Sequence, residues 1–227
     1  MSDYQDLCEM YGRDASDPDF IDDLIDEVSR ESNLDDDDYD WYEENESKKH
    51  HDLLIEQLNS VDQILDLAVP DNAEFSFLVM IHAHVVSAIE GYLAGVFIHQ
   101  VCNSEVLTRK LIESDPEFSK RKFTLREIYQ EQDALKVTVA SYLKGLIFHD
   151  LKKIIPMYKS VLEHELKNLS WLFKAVELRH HCVHRAGYDK DGNKIDISVE
   201  SVSDLLELVN TLGDDINETI KTLADSL

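Results

Sequence analysis

The longest apolar stretch, residues 75–102, constrains the fold most, because a helix of this length must be covered on most of its surface. It is long enough to cross a bilayer. It also carries several polar side chains that are costly in lipid, namely His82, His84, Glu90, His99 and Gln100. We therefore predict a buried helix over about residues 74–101 of a folded domain, and no membrane partner.

Helical spacing of apolar residues continues through most of the chain after residue 50. One pattern covers residues 50–69 and stops before Pro70. A helix over residues 124–149 has Thr124 as a plausible N-cap, and residues 107–114 are a shorter candidate. Pro156 is expected to divide two helices or to kink one. These patterns predict an all-α fold.

Two further helices complete the predicted fold, which is a bundle of four to five principal helices with a short β-hairpin insert. One covers about residues 169–184, and Ser201 or Ser203 caps another that continues to the C-terminus. Between them, Asp191 and Gly192 form a dipeptide typical of a hairpin turn.

Charge divides the chain into two parts. Residues 1–47 hold nineteen Asp and Glu against two Arg, a net charge of −17 out of −25, which leaves −8 for residues 48–227. The first part, with its run of four aspartates at residues 35–38, is too charged and too poor in large aliphatic residues to form a core. We predict a mostly disordered acidic segment over residues 1–47 and a helical domain over residues 48–227.

The cysteines indicate a reducing compartment. Cys8, Cys102 and Cys182 are odd in number, far apart and not arranged as CxxC. No basic segment followed by an apolar run opens the chain as a signal peptide would. A cytoplasmic location is expected.

The segment RHHCVH, residues 179–184, places charge where a core is expected. On a helical wheel Arg179 falls within an apolar arc that contains Leu172, Ala175, Val176, Cys182 and Val183, whereas His180, His181 and His184 lie on the polar side. A buried arginine cannot lose its charge and needs a partner. Glu90 is the one charge in the apolar stripe of the long helix, so we predict an Arg179–Glu90 pair. A purely structural ion pair is the alternative interpretation.

A metal site and a cysteine nucleophile were the other interpretations of this segment. His180 and His184 have metal-ligand spacing, but zinc would need two more ligands, recruited from His82, His84 or Cys182. The chain has neither HExxH nor CxxC. Cys182 lies on the apolar side of the predicted helix, where a thiol is usually inert. No metal and no cofactor are expected.

The residues now described resemble the HEPN domain family. The match lies in Arg-x4-His at a helix end before a glycine-containing turn, residues 179–192, and in a long helix, residues 84–97, with a small polar residue and an acid. The resemblance implies a helical bundle, often dimeric, whose motif helices line one cleft. It implies that Arg179 and His184 are catalytic, that His180 assists or orients them, that Glu90 fixes the arginine, and that Ser87 supports the site.

The resemblance also implies a function, since many members are metal-independent endoribonucleases of bacterial toxin–antitoxin or antiphage systems. The expected partners are then an RNA substrate, a second copy of the chain or a higher oligomer, and an antitoxin or other defence-system protein. The alternative is a catalytically inactive HEPN-like protein that binds RNA or acts as a scaffold. A third interpretation is an unrelated helical regulator whose acidic segment mimics nucleic acid.

Overall fold

The computed structural model describes residues 47–120 and 135–224 of the chain. Within these ranges the chain is helical, as predicted, and four helices of 16 to 32 residues are joined by four shorter ones. The acidic segment, with its expected disorder, and the Thr124 cap lie outside the described residues. The helices are α1 (Ser47–Leu65), α2 (Asp71–Cys102), α3 (Glu105–Ser114), α4 (Pro116–Ser119), α5 (Leu135–Lys144), α6 (Leu151–Val161), α7 (Ser170–Arg185) and α8 (Val199–Ala224).

The long helix α2 forms the centre of the fold. It packs against α1, α3, α5, α7 and α8, so it is apolar on most sides rather than along one stripe. The neighbouring positions Val85 and Val86 and the next-turn residue Ile89 are all fully buried. By length and composition alone α2 also resembles a membrane span. The helices packed around it account for the same apolar composition.

Buried hydrogen bonds join α2 to its neighbours, among them one each with α6, α7 and α8. Tyr158 of α6 donates its hydroxyl to the Leu93 carbonyl over 2.7 Å, and Tyr92 of α2 donates to the Gly213 carbonyl of α8 over 3.0 Å. His82 Nε2 lies 3.1 Å from the Ala175 carbonyl oxygen of α7. Burial lowers the pKa of His82, and this bond opposes the shift. The motif-bearing helix α7 is therefore held on α2 by a buried polar contact as well as by apolar packing.

The predicted β-hairpin does not form within the described residues. One isolated antiparallel bridge joins Tyr188 and Lys194, and no strand extends from it. The Asp189 carboxylate instead accepts hydrogen bonds from the backbone N–H groups of Asp191 and Asn193, at 2.8 and 2.9 Å. This side-chain bonding stabilises a compact turn and competes with the ladder of a hairpin. The turn signal was correct, but the arms are too short to pair as strands.

Two local expectations are corrected at helix ends, and one of the two alternatives for Pro156 is excluded. The cap of α8 is Ser198, not Ser201 or Ser203: Ser201 N–H donates to Ser198 Oγ over 3.1 Å, and Ser198 N–H donates to Ser201 Oγ over 2.9 Å. This reciprocal pair is a capping box with Ser201 at its third helical position. Helix α5 ends at Lys144, before Gly145, rather than at residue 149. Pro156 lies inside the single helix α6 and does not divide it.

Candidate active site

Helix α7 places the RHHCVH segment in its last turns. Leu172, Ala175 and Cys182 are buried, as their positions in the apolar arc predicted. Val183, from the same arc, is instead 51 % exposed. His180 and His184 are exposed on the polar side, as expected. The helix therefore packs along a narrower stripe than the sequence indicated.

The C-terminus of α7 is fixed by a tight backbone cap. Ala186 takes the left-handed conformation with φ 50°, and Gly187 follows with φ 86°. The N–H of Gly187 donates to the His181 carbonyl over 3.0 Å, and the N–H of Ala186 donates to the same carbonyl, so the end of the helix closes on one acceptor. A Cβ on Gly187 would lie only 2.5 Å from Val79 Cγ2 and 2.7 Å from Phe75 Cζ of α2. Only glycine allows this close approach, which sets where the motif helix stops.

The predicted ion pair between Arg179 and Glu90 is present. Arg179 Nη2 lies 3.9 Å from Glu90 Oε2, and His149 Nδ1 lies 3.6 Å from the same oxygen. The side chain of Glu90 is 14 % exposed and that of Arg179 is 23 % exposed. Burial raises the pKa of Glu90, and the nearby Arg179 and His149 oppose this rise. One carboxylate thus faces two cationic or potentially cationic groups.

Two buried polar atoms of this cluster have no hydrogen-bond partner among the residues that the structure describes. They are Glu90 Oε1 and Arg179 Nε. Unsatisfied buried polar atoms are uncommon and often mark a functional site or a place that a ligand completes. Arg179 therefore contacts Glu90 through Nη2, and its Nε–H is a donor that no described residue satisfies.

The histidines of α7 form a closely spaced pair. The His180 and His184 rings are 4.7 Å apart between centroids, with His181 next to His180 at 6.0 Å. Desolvation, followed by the nearby His184, Arg185, His181 and Arg179, lowers the pKa of His180. A neutral imidazole is a proton acceptor, so His180 is suited to act as a base.

One pocket brings the predicted catalytic residues together. Its volume is about 320 Å³, and Arg179, His180 and His184 all line it. Five residues of separation puts Arg179 and His184 about 140° apart on a regular helix, yet both reach this pocket from an intact α7. The remaining lining residues are His149, Val176, Glu177 and His181.

His149 is the residue of this pocket that sequence reasoning missed. It precedes α6 and reaches Glu90 from a different part of the chain. Nothing in its local sequence distinguishes it from an ordinary exposed histidine.

Ser87, predicted as a supporting residue, is exposed on α2 about one turn before Glu90 and does not line the pocket.

Two residues named in the competing interpretations are buried, whereas His84, the other candidate zinc ligand, is exposed on α2. His82, which a zinc site would recruit, is buried and bonded to the Ala175 carbonyl. Cys182 is buried, and desolvation raises its pKa to about 11, so it is a thiol at neutral pH. No group of three or more potential metal ligands gathers anywhere in residues 47–120 and 135–224.

The arrangement combines a fixed guanidinium with two exposed imidazoles. Such a set can bind an anion through the arginine fork and transfer protons through the rings without a metal. Comparison of the chain with protein-family models, with curated proteins and with solved structures finds no match. The chemistry of the pocket therefore carries the functional argument.

Proposed function

We propose that the protein is a metal-independent endoribonuclease that cleaves RNA at the pocket of Arg179, His180 and His184. The observation that carries the proposal is that these three side chains line one pocket and that Glu90 forms an ion pair with Arg179. The partly exposed guanidinium faces a cleft that also contains exposed imidazoles. This is the set of groups that phosphoryl transfer to a ribose hydroxyl requires.

The proposed reaction is an internal transfer. The ribose 2′-oxygen attacks the adjacent phosphorus, and the bond from phosphorus to the 5′-oxygen breaks, which leaves a 2′,3′-cyclic phosphate and a free 5′-hydroxyl. His180, whose pKa is lowered, accepts the 2′-hydroxyl proton, and His184 acts as the general acid that supplies a proton to the departing 5′-oxygen. Arg179 stabilises the charge that develops on the non-bridging oxygens.

The proposal includes a homodimer in which two copies of α7 face each other. Phe173 and Val183 are large apolar side chains of α7 that are 41 % and 51 % exposed. An isologous contact would repeat each residue across a two-fold axis and bring a second histidine pair close to the first. In line with the resemblance of its sequence to HEPN domains, we propose that the enzyme belongs to a bacterial toxin–antitoxin or antiphage system, with a partner protein that restrains it.

The test is cleavage of total RNA by the purified protein in EDTA. Arg179→Ala and His184→Ala should each lower the rate by about 10²–10⁴-fold. Lys174→Ala is the matched control, since it removes one positive charge from an exposed position of the same helix that does not line the pocket. Circular dichroism of each variant checks that helicity is retained. Cleavage that persists in both pocket variants, or that EDTA abolishes, would reject the mechanism.

A second candidate function is RNA binding or scaffolding without catalysis. It is favoured by the net charge of −8 over residues 48–227, which opposes tight binding of a polyanion. Absence of cleavage by the intact protein at all RNA concentrations, together with measurable RNA or protein binding, would select this candidate.

A further inference from the structure

A second and larger pocket lies between the α3–α4 junction and α6. Its volume is about 450 Å³, and it contains three lysines, Lys120, Lys152 and Lys153. No residue of the Arg179 pocket lines it. We call it the lysine pocket. Its other lining residues are Ser114, Asp115, Pro116, Glu117, Pro156, Met157 and Ser160.

The two acids of the lysine pocket are already engaged. Asp115 is only 6 % exposed, and its carboxylate accepts hydrogen bonds from the Glu117 N–H at 2.8 Å and from the Tyr142 hydroxyl at 2.6 Å. Glu117 Oε2 lies 3.1 Å from Lys120 Nζ. Asp115 therefore stabilises the α3–α4 junction, and Glu117 pairs with Lys120. Neither of these two acids pairs with Lys152 or Lys153.

Lys152 and Lys153 occupy an electrostatically unfavourable position. They lie in the first turn of α6, which has no acidic residue there, and the Asp150 side chain makes no cap hydrogen bond. The positive end of the helix dipole lies at the same place, so two cations add to it rather than offset it. Lys153 Nζ lies 5.1 Å from the centre of the Tyr142 ring, and neither lysine has an ion pair within the described residues.

An anion in the lysine pocket would relieve this accumulation of positive charge. The two amines match a phosphate group, whose oxygens accept several hydrogen bonds at once. The N–H groups of Leu151 and Lys153 are bonded to the His149 and Asp150 carbonyls, so the lysine side chains supply the donors. The mixed lining, which includes Pro116, Pro156 and Met157, also offers apolar surface beside the charges.

The lysine pocket adjoins the Arg179 pocket along the chain. His149 lines the latter, and Lys152 follows three residues later in the first turn of α6. Three residues span at most about 11 Å, so the backbones that carry the two sets of groups lie close together. An RNA strand that leaves the Arg179 pocket past His149 would therefore reach the first turn of α6.

We propose that Lys152 and Lys153, with Lys120, form a phosphate subsite that binds the backbone of single-stranded RNA beyond the scissile position. The inference rests on the proposed function for the identity of the strand. The subsite binds and positions RNA, and it takes no part in proton transfer.

The test measures binding separately from cleavage. The probe is a short fluorescein-labelled 2′-O-methyl RNA, which has no 2′-hydroxyl nucleophile, followed by fluorescence anisotropy over a range of salt concentrations in EDTA. The variant is Lys152→Ala/Lys153→Ala. The control, Lys49→Ala/Lys221→Ala, removes the same charge from exposed positions on α1 and α8 that do not line the pocket.

The pocket variant should bind the probe about tenfold or more weakly at 0.1 M salt than the control variant. Its slope of log affinity against log salt should be shallower by about 1.4, since each phosphate contact with a single strand contributes about 0.7. Equal affinity and slope in the two double variants would overturn the inference even if the intact protein cleaves RNA.

Two further outcomes separate this inference from the proposed function. Lysine-dependent binding of the probe without any cleavage of natural RNA would reject the nuclease and support the subsite. Binding of uridine monophosphate or inorganic phosphate as tight as that of the probe, and lost with the same lysines, would overturn the strand assignment in favour of a small phosphorylated ligand.

Discussion

Single residues define the chemistry of the candidate site, and Glu90 illustrates how. Its carboxylate contacts Arg179 and His149, yet burial prevails over both neighbours and raises its pKa. The charged form is therefore less stable in the folded protein than in the unfolded chain. The ion pair holds Arg179 in place but contributes little net stability, as is common for buried pairs.

Glu90→Gln should therefore disturb the position of Arg179 without a large change in the stability of the protein. We expect the free energy of unfolding to change by no more than about 1 kcal/mol, because the lost attraction and the removed desolvation penalty offset each other. Cleavage should fall by about 10–100-fold, since the arginine loses its orienting charge. Urea unfolding and RNA cleavage measure the two effects. A variant with full activity would show that Glu90 does not position Arg179.

His50 is a second residue with a strong consequence, here for pH dependence. It is buried between α1 and α2, and desolvation, followed by the nearby His99 and Lys49, lowers its pKa from 6.5 to about 4. Below pH 6.5 the unfolded chain binds a proton at His50 that the folded protein does not bind, so stability falls as the pH falls toward 4.

The expected loss due to His50 between pH 7 and pH 5 is about 2 kcal/mol, from the size of the shift. Urea unfolding at both pH values measures it. His50→Gln removes the titration, so its stability should depend less on pH by the same amount. An equal pH dependence in the two proteins would contradict the assignment.

Elements are positioned by their ends as much as by their packed faces, and α7 shows this most clearly. Its apolar residues place it on α2, but its end is set by Ala186 and Gly187. The two residues have positive φ for different reasons. Ala186 tolerates a strained cap, whereas Gly187 lies against Val79 and Phe75, where no side chain fits.

Removal of the glycine at residue 187 and introduction of a glycine at residue 186 should therefore change the free energy of unfolding in opposite directions. Gly187→Ala should lower the free energy of unfolding by about 2–4 kcal/mol, through backbone strain and overpacking. Ala186→Gly should raise it by up to about 1 kcal/mol, because glycine adopts the left-handed conformation without steric cost. Urea unfolding followed by circular dichroism measures both. If Gly187→Ala were neutral, the close approach to α2 would be wrong.

At the scale of the whole molecule, one central helix organises the domain. Helix α1 begins at Ser47 and packs against both α2 and α8. The domain boundary predicted near residue 47 remains a prediction about folding that deletion can test.

Deletion of residues 1–46 should leave a folded domain. We expect its melting temperature to stay within about 3 °C of that of the full chain, because the deleted segment is too charged to contribute a core. Differential scanning calorimetry and size-exclusion chromatography are the measurements. An insoluble or unfolded product would place the domain boundary earlier in the chain.

The oligomeric state is the other prediction at this scale. If two copies of α7 face each other through Phe173 and Val183, the full chain should sediment as a dimer. Val183→Glu should then give monomers with unchanged helicity, since the side chain is half exposed in the single chain and a new charge would repel its symmetric copy. A monomeric full-length protein in analytical ultracentrifugation would reject this dimer.

The sequence by itself determined the all-α class, the buried long helix and the Arg179–Glu90 pair. In each case the helical period of the apolar residues, or a single charge within an apolar stripe, predicts the structure without knowledge of which helices pack together. Only the tertiary structure decided that His149 joins Glu90, that Val183 is exposed, and that Lys120 and Lys152 share a pocket. These facts depend on which helices meet and where their ends stop. Side-chain hydrogen bonds at Asp189 and Ser198 and the fit of Gly187 against α2 fix those ends, and such contacts between segments leave no periodic signal in the chain.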